Sequence, residues 1–337
     1  MTSKDPSESE EPGSRADMSH QSWAEVIAEG DTGKIRDRLQ GELSDLFNKW
    51  SRRLQGYTVL VLYNDATIDD EDADRIYQAL RGIKPNQRKD VLLVLVSSGG
   101  YVVPAYQISK LCREWAKDKF LVGVPRHAKS AATMICLGAD AVHMGPLGHL
   151  GPIDPQIRGV SGLAHKYSLE MITRWAAELP AAQGLWSDIL SRDESFDYFD
   201  IGAFDRIVKS SVQYAERLLV NGKSDPERAA KIARHLVYYY EDHGFAIDRD
   251  ETREIFGEAS VVQNSNELSF SEETYRLISR VDKALQRIEL GDGIVMQSGI
   301  TAVGSFHDCV SVIPPTIIRR RIWPRTEGGD EGESGQH

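Results

Sequence analysis

The sequence predicts an α/β fold in which helices pack on the faces of a mostly parallel sheet. Residues 57–64 (YTVLVLYN) and 90–97 (DVLLVLVS) are aliphatic, β-rich runs of strand length, as expected of strands that are covered on both faces. Each run is followed by a segment with helical spacing of apolar residues, and a third run, FLVGVP, follows at 120–125. Alternating apolar strands and helices are typical of parallel α/β sheets.

The predicted elements follow in a regular order. Apolar residues at three- and four-residue steps predict a first helix within 32–55. The third strand is followed by a third helix at SAATMICLGA and by a short fourth strand within 139–146. Helical periods dominate from about 166 to 257, so this half is predicted to be helical. From 259 to 325 the pattern predicts one helix, TYRLISRVDKALQRIEL, and then β-like stretches.

Composition indicates a globular chain with polar ends. The chain has 337 residues, of which 41% are hydrophobic and 27% charged, which allows a substantial core. Residues 1–20 and 326–337 are polar and are predicted to be disordered tails. Between them we distinguish a helical segment at 21–56, a central α/β domain at 57–257 and an extension of unassigned fold at 258–325.

Charge and hydropathy exclude several classes of protein. A net charge of -11 argues against nucleic acid as a general partner, with IIRRRIWPR at 317–325 as a weak local exception. The longest aliphatic run, 91–96, is far shorter than the roughly 20 residues of a membrane span. The N-terminus has no apolar segment typical of a secretory signal, so a cytoplasmic protein is expected. The three cysteines are scattered along the chain, so no metal site is predicted. The sequence has no nucleotide-binding motif, so no cofactor is predicted.

Two turns after predicted strands are candidates for chemistry. SSGG (97–100) follows the second strand and HAKSAAT (127–133) follows the third, and ligands in open α/β sheets gather at the carboxyl ends of strands. Gly99 and Gly100 can bring bare backbone amides to a substrate, and the amide after Ser130 points out of the start of the third helix. These amides could hold the oxygen of a carbonyl attacked by Ser130. Alternatively, the glycines form only a turn and Ser130 only a helix cap.

The order of motifs points to a family. The stretches TIDDEDADRIYQALRGI, DVLLVLVSSGGYVVPAYQISKL and VPRHAKSAATMICLGADAVHMGPLGHLGPIDPQI occur in that order, and LGPIDPQ is the most specific block. Over roughly 57–257 the chain resembles the serine dehydrogenase proteinase family, within the class of Clp protease proteolytic subunits and signal peptide peptidase A. The resemblance implies a ClpP/crotonase-type ββα superhelix and serine peptidase chemistry. It also implies that the strand at 91–96 and its following turn offer an edge to an extended peptide.

The same resemblance implies roles for individual residues. Ser130 matches the nucleophile of the family. Gly99 and Gly100 match the glycine turn that lines the oxyanion hole, and the amides of Gly100 and Ala131 are the expected donors.

The general base is not fixed by the resemblance. Clp-type subunits have a histidine about two dozen residues after the nucleophile, where this chain has Asp154. Signal peptide peptidase A uses a lysine with a lowered pKa, for which Lys129 and Lys166 are candidates here. Adjacent helical residues do not face each other, which weighs against Lys129. His149 is the next candidate, and a site without a competent base is a further alternative.

Two other histidines are given structural interpretations. His127, three residues before Ser130, is interpreted as a solvated or capping residue beside a turn. His243, at the end of a predicted helix, is explained by the helix dipole.

The resemblance therefore predicts an intracellular, ATP-independent serine peptidase that acts on peptides or proteins through a Ser130 acyl-enzyme and forms a homo-oligomer. The alternative is a non-catalytic oligomeric scaffold or interaction protein on the same fold. Crotonase-like acyl-CoA chemistry is a third reading, and the serine context and LGPIDPQ disfavour it.

Overall fold

A mixed sheet of ten strands, with helices on both faces, forms the body of the described chain. The structure is a computed structural model and describes residues 22–157, 160–161, 198–221, 224–286, 288–290 and 294–319. In chain order, its main elements are α1 (Trp23–Ala28), α2 (Thr32–Trp50), β1 (Tyr57–Asn64), α3 (Asp70–Arg81), β2 (Asp90–Ser97), α4 (Val102–Trp115), β3 (Phe120–Val124), β4 (His127–Ala128), α5 (Ala131–Leu137), β5 (Ala141–Met144), β6 (His149–Leu150), β7 (Gln156–Ile157), β8 (Val160–Ser161), α6 (Tyr198–Asn221), α7 (Pro226–Tyr238), α8 (Arg249–Phe256), β9 (Val261–Val262), α9 (Asn266–Leu285), β10 (Ile288–Leu290), β11 (Ile294–Ser305) and β12 (Asp308–Arg319).

Parallel strands in the order β1–β2–β3–β5–β9 form the middle of the sheet. β1 and β2 stay in register over their whole length, up to the pair Asn64 and Ser97. Parallel strands end at the same edge, so the segments that follow β1, β2 and β3 lie close together. β4 extends this edge by pairing with β2 between Ala128 and Ser97, and β6 pairs in turn with β4.

The position of β2 corrects one expectation. The strand at 91–96 was expected to offer an edge to an extended peptide. That expectation is wrong for the strand itself, because β2 pairs with β1 along its entire length and with β3 from Val91 to Val94. For the turn after the strand it stays a prediction. A strand this apolar is stable in the centre of the sheet, where neighbours satisfy its backbone and helices cover its faces.

The segment after 258, which the sequence pattern left without an assigned fold, joins the same sheet. β11 pairs antiparallel with β1, from Leu60 and Ser305 to Tyr63 and Ala302. It also pairs antiparallel with β10 and β12. The sheet is therefore parallel in its middle and antiparallel beside β1.

Each face of the sheet has its own apolar layer. In β2 the odd-numbered residues from Val91 to Leu95 pack with side chains of α3 to α7. The even-numbered residues from Leu92 to Val96 pack with side chains of α1, α2 and α9. Helices thus cover both faces, and the predicted α/β class is confirmed.

Most predicted elements are present where the chain is described. The first helix, the third helix and the fourth strand appear as α2, α5 and β5, and the predicted helical half contains α6, α7 and α8. The predicted helix at YSLEMITRWAAEL and both predicted tails lie outside the described residues. Within the described ranges, no helix combines the length and hydropathy that crossing a bilayer requires.

Candidate active site

Ser130 lies at the turn between β4 and α5, at the carboxyl edge of the parallel strands. Its backbone has φ 51 and ψ -118, a combination that L-amino acids rarely adopt. Ser130 immediately precedes α5, but its side chain makes no capping hydrogen bond to that helix. Strained backbone of this kind persists only where the surrounding structure imposes it, often at functional sites. Capping therefore does not account for the conformation of Ser130.

The glycine turn after β2 packs directly against this serine. A Cβ atom on Gly99 would lie 2.9 Å from Ser130 Cβ and 2.9 Å from the carbonyl oxygen of Lys129. Gly100 is equally confined, because a Cβ there would collide with the backbone of Ile68. The two turns that the sequence singled out therefore meet in space, and the first of them has no room for a side chain.

The amides of the two turns differ in their hydrogen bonding. The Gly99 amide donates to Ser97 Oγ at 3.0 Å, so it serves the turn itself. The amides of Gly100 and Ala131 have no acceptor within the part of the chain that the structure describes. The family resemblance implies these same two amides as oxyanion donors, and this role stays a prediction.

A histidine and a carboxylate form a pair beside the site. His127 Nε2 lies 2.6 Å from Asp65 Oδ1, and Ser98 Oγ donates to the same oxygen at 3.2 Å. Burial tends to raise the pKa of Asp65, but the hydrogen bonds from His127 and Ser98 outweigh it and hold that pKa below its ordinary value. Asp65 is therefore ionised near neutral pH and orients the His127 ring.

Sequence reasoning missed Asp65. The signal that could have found it is its position directly after β1, at the same sheet edge as SSGG and HAKSAAT.

Lys129 and His149 flank Ser130 on the short β4–β6 ribbon. The Lys129 Nζ atom donates to the Gly244 carbonyl at 3.3 Å. His149 pairs in register with His127, and their ring centroids are 6.1 Å apart. Burial lowers the pKa of His149, a hydrogen bond to the backbone opposes the shift, and the positive charges of Lys129 and His127 add to it. His149 is therefore mainly neutral near pH 7.

Asp154 pairs with a histidine from a distant part of the chain. Asp154 is 4% exposed, and its Oδ2 atom lies 3.8 Å from His243 Nδ1. Its Oδ1 atom has no hydrogen-bond partner in the described part of the chain. His243, which the sequence pattern explained by a helix dipole, instead faces this carboxylate. It precedes Gly244, so the pair adjoins the Lys129 side chain.

The structure brings most of the predicted site residues together. The two glycines, Ser130 and Ala131 form one turn-to-turn contact, and Lys129 and His149 flank it. Lys166 lies outside the described residues. Among the residues described, no three or more His, Cys, Asp or Glu side chains are grouped to hold a metal ion.

Fold and site together define an α/β protein with a serine at the carboxyl edge of its parallel strands. Residues 52–175 match the family described as ClpP-like SDH-type serine proteinase. The resemblance to the serine dehydrogenase proteinase family is therefore confirmed over this segment, which contains every site residue named from the sequence.

Two curated relatives come from Methanocaldococcus jannaschii. The uncharacterized protein MJ0137 is 34% identical over 87 residues, which are 26% of this chain and 29% of that protein. The uncharacterized protein MJ1495 is 33% identical over 96 residues, or 28% of this chain and 31% of that protein. The chain thus spans less than a third of the length of these relatives.

Solved structures of the 1510-N membrane-bound stomatin-specific protease are also similar. A serine-to-alanine mutant aligns with a TM-score of 0.40 and 15% identity over 64% of this chain and 83% of that chain. A lysine-to-alanine mutant in complex with a substrate peptide aligns with a TM-score of 0.39 and 15% identity over 63% of this chain and 77% of that chain.

Proposed function

We propose that this protein is a serine peptidase that cleaves peptide bonds through an acyl-enzyme on Ser130. The observation that carries the proposal is the strained, uncapped conformation of Ser130 against Gly99. Holding a serine in such a region costs about 1–3 kcal/mol, and no hydrogen bond to the helix explains it. The family match over 52–175 supports the same chemistry.

In the proposed reaction, Ser130 Oγ attacks the peptide carbonyl carbon while a base accepts the hydroxyl proton. The carbonyl oxygen becomes an oxyanion, and the amides of Gly100 and Ala131 donate hydrogen bonds to it. Collapse of the tetrahedral intermediate breaks the C–N bond, and the leaving amine takes up the proton. A water molecule, deprotonated by the same base, then hydrolyses the serine ester.

For the base we propose Lys166, which lies within the segment matched to the family. Lys129, the other lysine candidate, donates its ammonium hydrogen to the Gly244 carbonyl. The Lys129 ammonium is directed toward Gly244, which supports a role in binding. This direction does not support transfer of a proton from Ser130, the next residue in the chain. The second candidate base is His127, because Asp65 orients its ring and keeps a negative charge beside it.

We further propose that the protein works inside the cell without an ATPase and assembles as a homo-oligomer, as the family resemblance implies. Size-exclusion chromatography with light scattering tests the assembly, and turnover of a short peptide without ATP tests independence from an ATPase.

The second candidate function is a non-catalytic scaffold on the same fold. The observation that favours it is that no described side chain forms a hydrogen bond with the Ser130 hydroxyl. A nucleophile without a base is nearly inert, although oxyanion amides alone retain some catalysis.

Labelling with a fluorophosphonate probe separates the two functions. We expect labelling of the wild type, and its loss together with peptide turnover in Ser130→Ala. Ser269→Ala, at an exposed serine of α9, is the matched control and should behave as the wild type. Absence of labelling from about pH 6 to about pH 10, the span over which histidine and lysine bases titrate, would favour the scaffold.

A further inference from the structure

The β4–β6 ribbon has one buried face and one partly exposed face. Ala128 and Leu150 pair in register and are fully buried. Side chains alternate along a strand, so His127 and His149 lie on the opposite face, and Lys129 follows β4 directly. All three are basic, and we call this surface the basic face.

A ring distance and an electrostatic effect place these three side chains near one another. The rings of His127 and His149 lie 6.1 Å apart, and the charges of Lys129 and His127 both act on His149. The Asp65 carboxylate borders this face at His127, so the two histidines add little net charge to it.

Lys129 provides the charge of this face near neutral pH. His127 is paired with the Asp65 carboxylate, and His149 is mainly neutral. The Lys129 ammonium donates to one neutral acceptor, the Gly244 carbonyl, and forms no ion pair with a described residue. An ammonium has three N–H donors, so two are available to a ligand.

The surroundings also fix where this ammonium lies. The stem of Lys129 runs across Gly151, where a Cβ atom would be 3.0 Å from Lys129 Cβ and Cγ. The nearby Asp242 carboxylate accepts a hydrogen bond from the Gly244 amide at 2.9 Å, so it serves its own loop. The buried Asp154 faces His243, with 3.8 Å between its Oδ2 atom and His243 Nδ1. The Lys129 ammonium thus lies beside the site without an ion pair to a described carboxylate.

We propose that the basic face binds the carboxylate of an Asp or Glu residue of the peptide substrate, next to the scissile bond, and that Lys129 determines this specificity. The inference rests on the proposed function and names its substrate class. In this proposal the peptide carbonyl carbon lies at Ser130, and a flanking side chain of the peptide extends toward Lys129, the residue that precedes Ser130. Charge-assisted hydrogen bonds are stronger than neutral ones, so Lys129 favours a carboxylate over an amide of the same shape.

Matched fluorogenic peptides test the specificity. They carry Glu, Gln or Lys at each of the three positions on either side of the scissile bond and are otherwise identical. We expect kcat/KM for Glu to exceed that for Gln about five- to tenfold at one position, as a charge-assisted hydrogen bond implies. The preference should disappear in Lys129→Met and change to Lys in Lys129→Glu.

Lys119→Met is the matched control, because Lys119 is exposed and precedes β3 at the opposite edge of the sheet. It should retain the preference for Glu. Equal kcat/KM for Glu and Gln peptides at every position, or an unchanged preference in Lys129→Met, would overturn the proposal. The methionine variant keeps the stem that packs on Gly151, so the test does not depend on the folding of Lys129→Glu.

A binding experiment separates this inference from the proposed function. Fluorescence anisotropy of labelled Glu and Gln peptides on Ser130→Ala measures recognition without turnover. If the wild type is not acylated but the Glu peptide still binds more tightly, the peptidase proposal fails and the acidic subsite stands. If Ser130 is acylated and the two peptides bind equally, the subsite fails and the peptidase proposal stands.

Discussion

Gly99 and Ser130, which are 31 positions apart in the chain, pack against each other where two turns meet. A Cβ atom added to Gly99 would lie 2.9 Å from Ser130 Cβ, closer than real side chains approach. The φ of Gly99 is +115, which also favours glycine. The glycine turn and Ser130 are therefore packed as one unit, and a side chain added at Gly99 must displace Ser130.

Gly99→Ala should damage both stability and reactivity. The added methyl group meets backbone and Cβ atoms that cannot move aside cheaply, and its φ is unfavourable. We expect the free energy of unfolding in urea to fall by more than about 1 kcal/mol and the rate of fluorophosphonate labelling to fall at least about tenfold. Gly41→Ala in α2 is the control, because a Cβ there meets no atom within 4 Å. It should raise stability by up to about 1 kcal/mol. If Gly99→Ala were labelled by the fluorophosphonate at the wild-type rate, the packing of Gly99 would not control the position of Ser130.

Ser130→Gly should be more stable than Ser130→Ala, although both lack the proposed nucleophile. With φ 51 and ψ -118, any residue with a Cβ is strained, and glycine is not. Relief of strain exceeds the entropy that glycine adds to the unfolded chain, so we expect a difference of about 1 kcal/mol in urea unfolding. At Ser269, in the regular helix α9, the same pair of substitutions should have the opposite order, because glycine weakens a helix. If the Gly and Ala variants had the same order of stability at Ser130 and at Ser269, the backbone of Ser130 would not be strained.

Parallel topology explains why the sequence predicted the centre of the site. SSGG and HAKSAAT both follow apolar strands, and strands of a parallel sheet end at one edge, so Gly99 and Ser130 could be expected to meet. Asp65 follows β1 at that same edge and was missed because no glycine or motif marks it. The pair of Asp154 and His243 joins loops far apart in the chain, and no periodicity reports such a contact. The pairing of β11 with β1 was hidden for the same reason.

The identity of the base can be tested on acylation alone. We expect Lys166→Met to reduce the fluorophosphonate labelling rate by about a hundredfold or more, the usual contribution of a general base. Lys119→Met controls for loss of a lysine. Should His127→Gln and Asp65→Asn abolish labelling while Lys166→Met retains it, the base is His127, oriented by Asp65. The pH dependence of the labelling rate distinguishes the two bases independently, because lysine and histidine titrate in different pH ranges.

Acid should destabilise the wild type through His149. Burial lowers the pKa of this histidine, so the folded state disfavours its protonated form. The cost is absent above the unfolded pKa of about 6.5, grows as the pH falls through that value and is complete below the folded pKa. His149→Gln cannot be protonated. The wild type should therefore lose stability relative to this variant between about pH 7 and about pH 5, as urea unfolding at a series of pH values will show.

Lys129→Met should reduce the acid-dependent loss of stability that His149 causes. The positive charge of Lys129 contributes, after burial, to the low pKa of His149. Removing that charge makes protonation of His149 in the folded state easier, so its pKa rises toward the ordinary value and the acid-dependent loss becomes smaller. The difference between Lys129→Met and the double variant Lys129→Met/His149→Gln should then vary less with pH than the difference between the wild type and His149→Gln. An equal pH dependence in both pairs would mean that Lys129 and His149 do not share one electrostatic cluster, and it would also remove a support of the basic face.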